Sequence, residues 1–266
     1  MLAIIGYIGA LFMGTILGLI GGGGSIIALP IFVYLFGIPS DLAIVYSLLI
    51  VGSTSIFASW GHVQQKQFDS VVAVWFGAAS VIAVIFSRYL IVPNLPDPLV
   101  SLAGWQLSKD LGLLLLFAGL MLLSAFKMIF SAAPPVAAVD AKLAIIPLIT
   151  RGLGIGLLTG LIGAGGGFLI VPALVYYAGL PMKKAVGTSL LLIGVNSIIG
   201  FGASLSSTQQ AFDWALLGTF LGLGFVGTFI GAGLAKKIPN ELLKPAFGWF
   251  VLITGSYIIL KELFLN

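Results

Sequence analysis

The stretch Gly18-Leu19-Ile20-Gly21-Gly22-Gly23-Gly24-Ser25-Ile26-Ile27-Ala28-Leu29-Pro30 interrupts an apolar run with four consecutive glycines. The chain repeats it 142 residues later as Gly160-Leu161-Ile162-Gly163-Ala164-Gly165-Gly166-Gly167-Phe168-Leu169-Ile170-Val171-Pro172. The register continues, with Tyr34, Gly37, Pro39, Ala43, Ser47, Gly52 and Ser55 meeting Tyr176, Gly179, Pro181, Ala185, Ser189, Gly194 and Ser197. Between residues 18 and 55 the two copies share 17 of 38 positions. Apolar composition alone would not hold Pro, Tyr and Ser in one register, so the chain carries an internal duplication. Farther on, Phe68-Asp69 corresponds to Phe212-Asp213 after a two-residue shift, each Asp standing where it caps the next helix.

What surrounds the repeats fixes the solvent. Of 266 residues 60% are apolar and 8% are charged, whereas a soluble domain carries about 25% charged residues. Apolar runs long enough to cross the bilayer lie near residues 2–20, 41–61, 69–92, 110–130, 144–163, 183–204, 213–235 and 242–264. The chain is therefore a polytopic, all-α membrane protein. The first run lacks the basic start and cleavage site of a signal peptide and is read as mature structure. With no cysteine there is no disulfide, thiolate metal site or thiol relay, and the net charge of +4 reports orientation rather than a nucleic-acid partner.

Two shorter apolar pieces, Ser25 to Gly37 and Gly167 to Gly179, follow the glycine runs and contain Pro30 and Pro172. At about 1.5 Å per residue they reach only part of the way across and are read as broken helices. The expected divisions are a first transmembrane repeat at 1–130, a linker at 131–143 around Pro134-Pro135, and a second repeat at 144–266. A further irregular stretch, Pro93 to Lys109, is expected as an exposed or interfacial loop. If the short pieces count as passes, each repeat has about five helices and the halves are inverted; if they are re-entrant, the halves are parallel. The ten-pass arrangement puts eight basic residues on one side against three, the eight-pass arrangement seven against four. The positive-inside rule prefers the inverted form with both termini outside.

Glycine runs that interrupt helices inside a membrane belong where backbone lines a protein or water cavity. A helix starting just after each run turns its free N–H groups and positive dipole end toward the glycines, which suits an anion. Gly22, Gly23, Gly24 and Ser25, with Gly165, Gly166 and Gly167, are the expected backbone of a substrate site. The alternative is close helix packing through small residues. Ser47, Ser53, Thr54 and Ser55 on one helix, and Thr188, Ser189, Asn196 and Ser197 on its repeat partner, are neutral hydrogen-bond formers suited to oxyanion oxygens. Ser47 and Thr54 are seven apart, as are Ser189 and Asn196, so each pair shares a helix face. Single Ser or Thr residues also satisfy the carbonyls of their own helix, whereas the Asn196 amide has more groups to pair. His62 is read as interfacial or as a gate, and Arg151 as snorkelling or drawing anions inward.

Enzyme classes fail on inventory. The glycine runs lack the Lys-Ser/Thr ending of a phosphate-binding loop, one histidine and no cysteine leave a metal without ligands, and the acids fall at helix ends or in loops. No intramembrane carboxylate is in place for a proton relay, and no cofactor is implied.

The paired signatures, Gly-Gly-Gly-Gly-Ser-Ile-Ile-Ala-Leu-Pro at 21–30 and Gly-Ala-Gly-Gly-Gly-Phe-Leu-Ile-Val-Pro at 163–172, resemble the duplicated signature of the sulfite exporter TauE/SafE family, over nearly the whole chain. The resemblance implies a secondary transporter of sulfite or organosulfur anions (sulfonate, sulfoacetate, thiosulfate) in a bacterial-type cytoplasmic membrane. Its partners would be a small anionic substrate and the lipid bilayer, with oligomeric state left open. Rival readings are a passive anion channel and a non-transporting subunit that binds a membrane partner.

Overall fold

The computed structural model describes residues 2–102, 105–130, 145–162, 166–205 and 211–264. Helices are α1 (Leu2–Ile20), α2 (Gly24–Pro30), α3 (Ser40–Gln64), α4 (Ser70–Phe86), α5 (Lys109–Phe130), α6 (Ile145–Ile162), α7 (Gly167–Tyr177), α8 (Met182–Leu205), α9 (Trp214–Lys237) and α10 (Asn240–Phe264). Six helical stretches, among them Ser70–Asn94, which runs on past α4, are apolar and long enough to cross a membrane, and α1, α2, α6 and α7 belong to shorter apolar helices. The expected linker at 131–143 lies outside the described residues. Pro93 to Lys109 is more ordered than a loop: Val100–Leu102 (β1) pairs antiparallel with Trp105–Leu107 (β2).

The same local devices build both copies. α2 runs past Pro30 into a π-helical turn at Ile31–Leu35, where proline lacks an N–H and the ladder widens. Gly37 then takes φ +65°, and the Ile38 N–H reaches back to the Phe32 carbonyl at 3.0 Å. In the second copy Gly179 also takes φ +65°, and the Leu180 N–H reaches the Leu174 carbonyl at 3.1 Å. Both are glycine-terminated helix ends in which a left-handed residue satisfies otherwise orphaned carbonyls. At the far end of the next helix, the Asp69 carboxylate accepts from the Val72 N–H at 3.0 Å. The Asp213 carboxylate accepts from the Leu216 N–H at 2.9 Å, so both expected caps are in place.

Helices pair across the chain midpoint: α1 packs on α9, α6 on α4, α3 on α8, α5 on α10 and α2 on α7. Glycines make the first two pairings close enough for backbone contact. A Cβ added at Gly14 or Gly18 would run into the carbonyls of Gly224 or Thr228, and one at Gly156 into that of Ser80. A Cβ at Gly152 would fall 2.6 Å from the Phe76 carbonyl. These glycines serve packing, the role small residues play wherever helix association gains nothing from excluding water. Contact order also gives direction. Gly14 and Gly18 meet Gly224 and Thr228, so α1 and α9 run parallel, whereas Gly52 meets Ile198 and Gly194 meets Ile56, so α3 and α8 run antiparallel. α5 and α10 are antiparallel too, with Gly248 on Ile129 and Gly255 on Met121.

Candidate functional site

The two glycine breaks meet. A Cβ added at Gly22 would run into the Gly167 carbonyl, and one at Gly167 would lie 2.8 Å from the Gly22 Cα and 2.8 Å from the Ile193 side chain. Ile193 stands halfway along α8, so the crossing sits inside the bundle rather than at its surface. Gly21 takes φ +85° and passes α8 beside Ser189, whose Oγ is 3.1 Å from where a Cβ would stand. Gly166 precedes α7 with φ +64°, a left-handed conformation that a β-carbon resists. Such a carbon would also strike Thr159. Gly23 is held against Ile16 and Phe250, and a Cβ added at Gly24 would lie 2.7 Å from both the Leu17 side chain and the Met13 carbonyl. Gly165 and the Ser25 side chain lie outside the described residues.

The hydroxyl residues divide into two groups. Ser47 Oγ donates to the Ile44 carbonyl at 2.8 Å, Ser189 Oγ to Val186 at 2.8 Å, and Thr54 Oγ1 to Ile50 at 2.6 Å. These three satisfy their own helices. Ser55 and Ser197, which occupy the same position in the two copies, are fully buried, and neither Oγ has a hydrogen-bond partner among the described residues. Thr159 Oγ1 and Asn196 Oδ1 are in the same condition. A buried polar group left unpaired costs about 1–3 kcal/mol, so four of them are costly unless something polar joins them.

Asn196 does pair through its amide, Nδ2 donating to Ser80 Oγ on α4 at 2.9 Å. The repeat-related place brings Thr54 on α3 against Gly224 on α9, with a Cβ at Gly224 only 2.8 Å from the Thr54 methyl. Thr159 faces the start of α7, while its counterpart Leu17 faces the start of α2. Asn196, Ser80 and Thr159 thus stand on the α4, α6 and α8 side, while Ser55 on α3 and Thr228 on α9 are buried on the other side without a partner among the described residues. Sequence reading missed Ser80 and Thr159, which are isolated hydroxyls on apolar helices with nothing local to set them apart.

Of the two ionisable residues of interest, Arg151 lies at a bundle end, whereas His62 packs against Gly187, the neighbour of the Val186 that Gly21 abuts. Arg151 Nη1 donates to the Tyr177 carbonyl and the guanidinium sits 5.2 Å above the Tyr177 ring, at an exposed helix end. His62 is buried near the end of α3, its Nδ1 3.0 Å from Gln67 Oε1. A cavity of about 560 Å³ opens at the opposite end, among α1, the Gly37–Pro39 turn and the starts of α3 and α9.

The sulfite exporter TauE/SafE family matches residues 6–258. A probable membrane transporter protein of Xylella fastidiosa is 29% identical over 256 residues, covering 94% of this chain and 92% of the relative. One from Methanocaldococcus jannaschii is 29% identical over 217 residues, covering 80% and 74%. One from Bacillus subtilis is 26% identical over 247 residues, covering 93% and 96%. With the family matched from end to end, on a bundle of apolar helices broken at two glycine runs, the chain is a multi-pass membrane transporter and belongs to the sulfite exporter TauE/SafE family.

Proposed function

We propose that this chain moves sulfite or small organosulfur anions across the cytoplasmic membrane by alternating access, with export as the favoured direction. The observation that carries the reading is the crossing of two glycine-started helices at Gly22 and Gly167, beside the buried Thr159 hydroxyl, which has no partner among the described residues. Helix starts supply N–H donors and positive dipole ends, and Ser55, Ser197 and Thr159 supply O–H donors, a set that fits oxyanion oxygens without a compensating metal. The site comprises Gly22, Gly23, Gly24 and Ser25 with Gly165, Gly166 and Gly167, flanked by Ser47, Thr54, Ser189, Asn196 and Ser197.

The halves at 1–130 and 144–266 act as inverted repeats that rock about this site. Antiparallel running of α3 against α8 and of α5 against α10, which are repeat counterparts, supports the inversion. The energetics favour export. Each negative charge leaving a cell at −100 mV gains about 2.3 kcal/mol, so a dianion gains roughly 4.6 kcal/mol without any coupling ion.

The test is flux in proteoliposomes of sulfite, a small sulfonate and thiosulfate, under a membrane potential of either sign. Saturable flux that follows the potential with no proton or sodium gradient is the expected result. Flux that appears only with an ion gradient overturns the uncoupled mechanism, and no flux of any of the three overturns the substrate class.

A further inference from the structure

The two ends of the bundle make one hydrogen bond with side chains of different length. Tyr46 and Thr188 occupy the same repeat position, as do Asp213 and Asp69. The Tyr46 hydroxyl accepts from the Asp213 N–H at 2.6 Å, and Thr188 Oγ1 accepts from the Asp69 N–H at 3.0 Å. Each bond ties the start of one helix, α9 or α4, to a helix of the opposite half. A tyrosine carries its oxygen about 4 Å farther from the backbone than a threonine does, by ordinary covalent lengths. The start of α9 is therefore held off α3, and the start of α4 is drawn onto α8.

The preceding residue acts in the same sense. A Cβ added at Gly187 would run into the Gln67 carbonyl and lie 2.8 Å from the His62 Cβ, so the turn before α4 rests directly on the α8 backbone. The counterpart of Gly187 is Val45, whose branched side chain excludes a carbonyl from that distance. The counterpart of Gln67 is Ala211, which lines the 560 Å³ cavity with Tyr7, Leu42, Tyr46, Leu216 and Thr219. Exposure follows the geometry: Asp213 is exposed where Asp69 is half-buried, and Leu216 is half-buried where Val72 is 6% exposed. The cavity holds a small oxyanion together with waters at about 30 Å³ each.

Charge differs between the ends as well. Asp41 and Asp213 stand at the cavity end, whereas the counterparts of Asp41 and Leu42 are Lys183 and Lys184. Asp213 is matched by Asp69, and Lys261 stands over Tyr34 near the cavity, so the difference between the ends is Lys183-Lys184 against Asp41-Leu42, which favours anion entry at the lysine end.

We infer that the cavity is the outer mouth of the anion pathway, propped open by Val45-Tyr46, and that Gly187-Thr188 shuts the corresponding mouth at the lysine end. The assignment rests on the transporter reading above. The chain contains no cysteine, so single cysteines report each mouth without background. Leu216→Cys and Val72→Cys probe repeat-related positions with a membrane-impermeant maleimide, applied to detergent-solubilised protein without substrate.

Leu216→Cys is expected to react at least about tenfold faster than Val72→Cys. Exchanging both dipeptides (V45G, Y46T, G187V, T188Y) is expected to reverse that order. Should the fourfold variant fail to fold, Tyr46→Thr alone is expected to slow Leu216→Cys labelling about fivefold, while Tyr46→Phe, which keeps the length and loses the bond, leaves it within about twofold. Equal labelling at the two positions, an order unchanged by the exchange, or equal effects of Tyr46→Thr and Tyr46→Phe would each overturn the assignment. Sulfite flux measured on the unmodified chain separates the two readings: equal labelling with intact flux removes the mouths but leaves transport. Unequal labelling without flux leaves the two ends as described and removes transport.

Discussion

The two halves of this protein share a backbone plan down to the left-handed glycine after each short helix, yet they place polar groups differently around the crossing. On the α4, α6 and α8 side Asn196 reaches Ser80, Thr159 Oγ1 has no partner among the described residues beside the start of α7, and Ser87 lies against Gly160. On the α1, α3 and α9 side the corresponding places hold Thr54, Gly224, Leu17 and Gly231. The helix pairing and the glycine-ended chain reversals are common to both copies, whereas the backbone at the breaks and the side chains that set polarity and spacing differ, Gly166 being left-handed where its counterpart Gly24 is helical. A symmetric frame with asymmetric lining is what a carrier needs if its two orientations are to differ in free energy.

The largest expected break in this comparison is at the shared crossing. Gly22→Val drives a branched side chain into the Gly167 carbonyl, and Gly24→Val meets Leu17 and the Met13 carbonyl. Both are expected to abolish sulfite flux, by more than about a hundredfold, with strain of about 1–3 kcal/mol seen as a lower melting temperature. Gly222→Ala, with no neighbour within 4 Å of the new carbon, is the matched control and is expected to keep flux and stability.

Asn196 separates the halves next. Asn196→Ala strands Ser80 Oγ in the bundle and is expected to cost about 1–3 kcal/mol and to raise the sulfite KM about tenfold. Thr54→Val, at the counterpart position, loses only bonds to its own helix and is expected to move KM less than about twofold. Equal effects would show that the polar side of the crossing has no special part in binding.

A smaller effect is expected from charge. Lys183→Asp combined with Lys184→Leu gives the lysine end the residues of the cavity end, and is expected to slow inside-to-outside flux severalfold at low salt. At 1 M salt, where the screening length is about 3 Å, the difference is expected to vanish. The smallest effect is at the caps. Asp69→Ala and Asp213→Ala each remove a bond to a helix N–H and are expected to lower stability by about 1 kcal/mol, read as similar drops in melting temperature.

Much of the frame was legible in the sequence because local chemistry builds it. The offset of 142 residues, the glycine breaks, the chain reversals at Gly37-Ile38-Pro39 and Gly179-Leu180-Pro181, and both Asp caps all rest on short-range rules. The lining was less legible. Ser80 and Thr159 look like any hydroxyl on an apolar helix until α8 and α7 are laid against them, and Tyr46 reads as an apolar aromatic until its hydroxyl meets the Asp213 N–H 167 residues away. The strand pair at 100–102 and 105–107 escaped because strands of three residues are too short for alternation to register. From sequence Arg151 reads equally as snorkelling or as drawing anions inward, because its contact with Tyr177 at the bundle end depends on where α7 stops.

The central claim is that the pathway is open at one end at a time. The most direct test loads proteoliposomes with unlabelled sulfite, dilutes them into a trace of labelled sulfite, and follows the label inside. Alternating access predicts that the label accumulates transiently above its equilibrium level, driven by efflux of the unlabelled anion. A monotonic rise to equilibrium, as through a channel open at both ends, would contradict it.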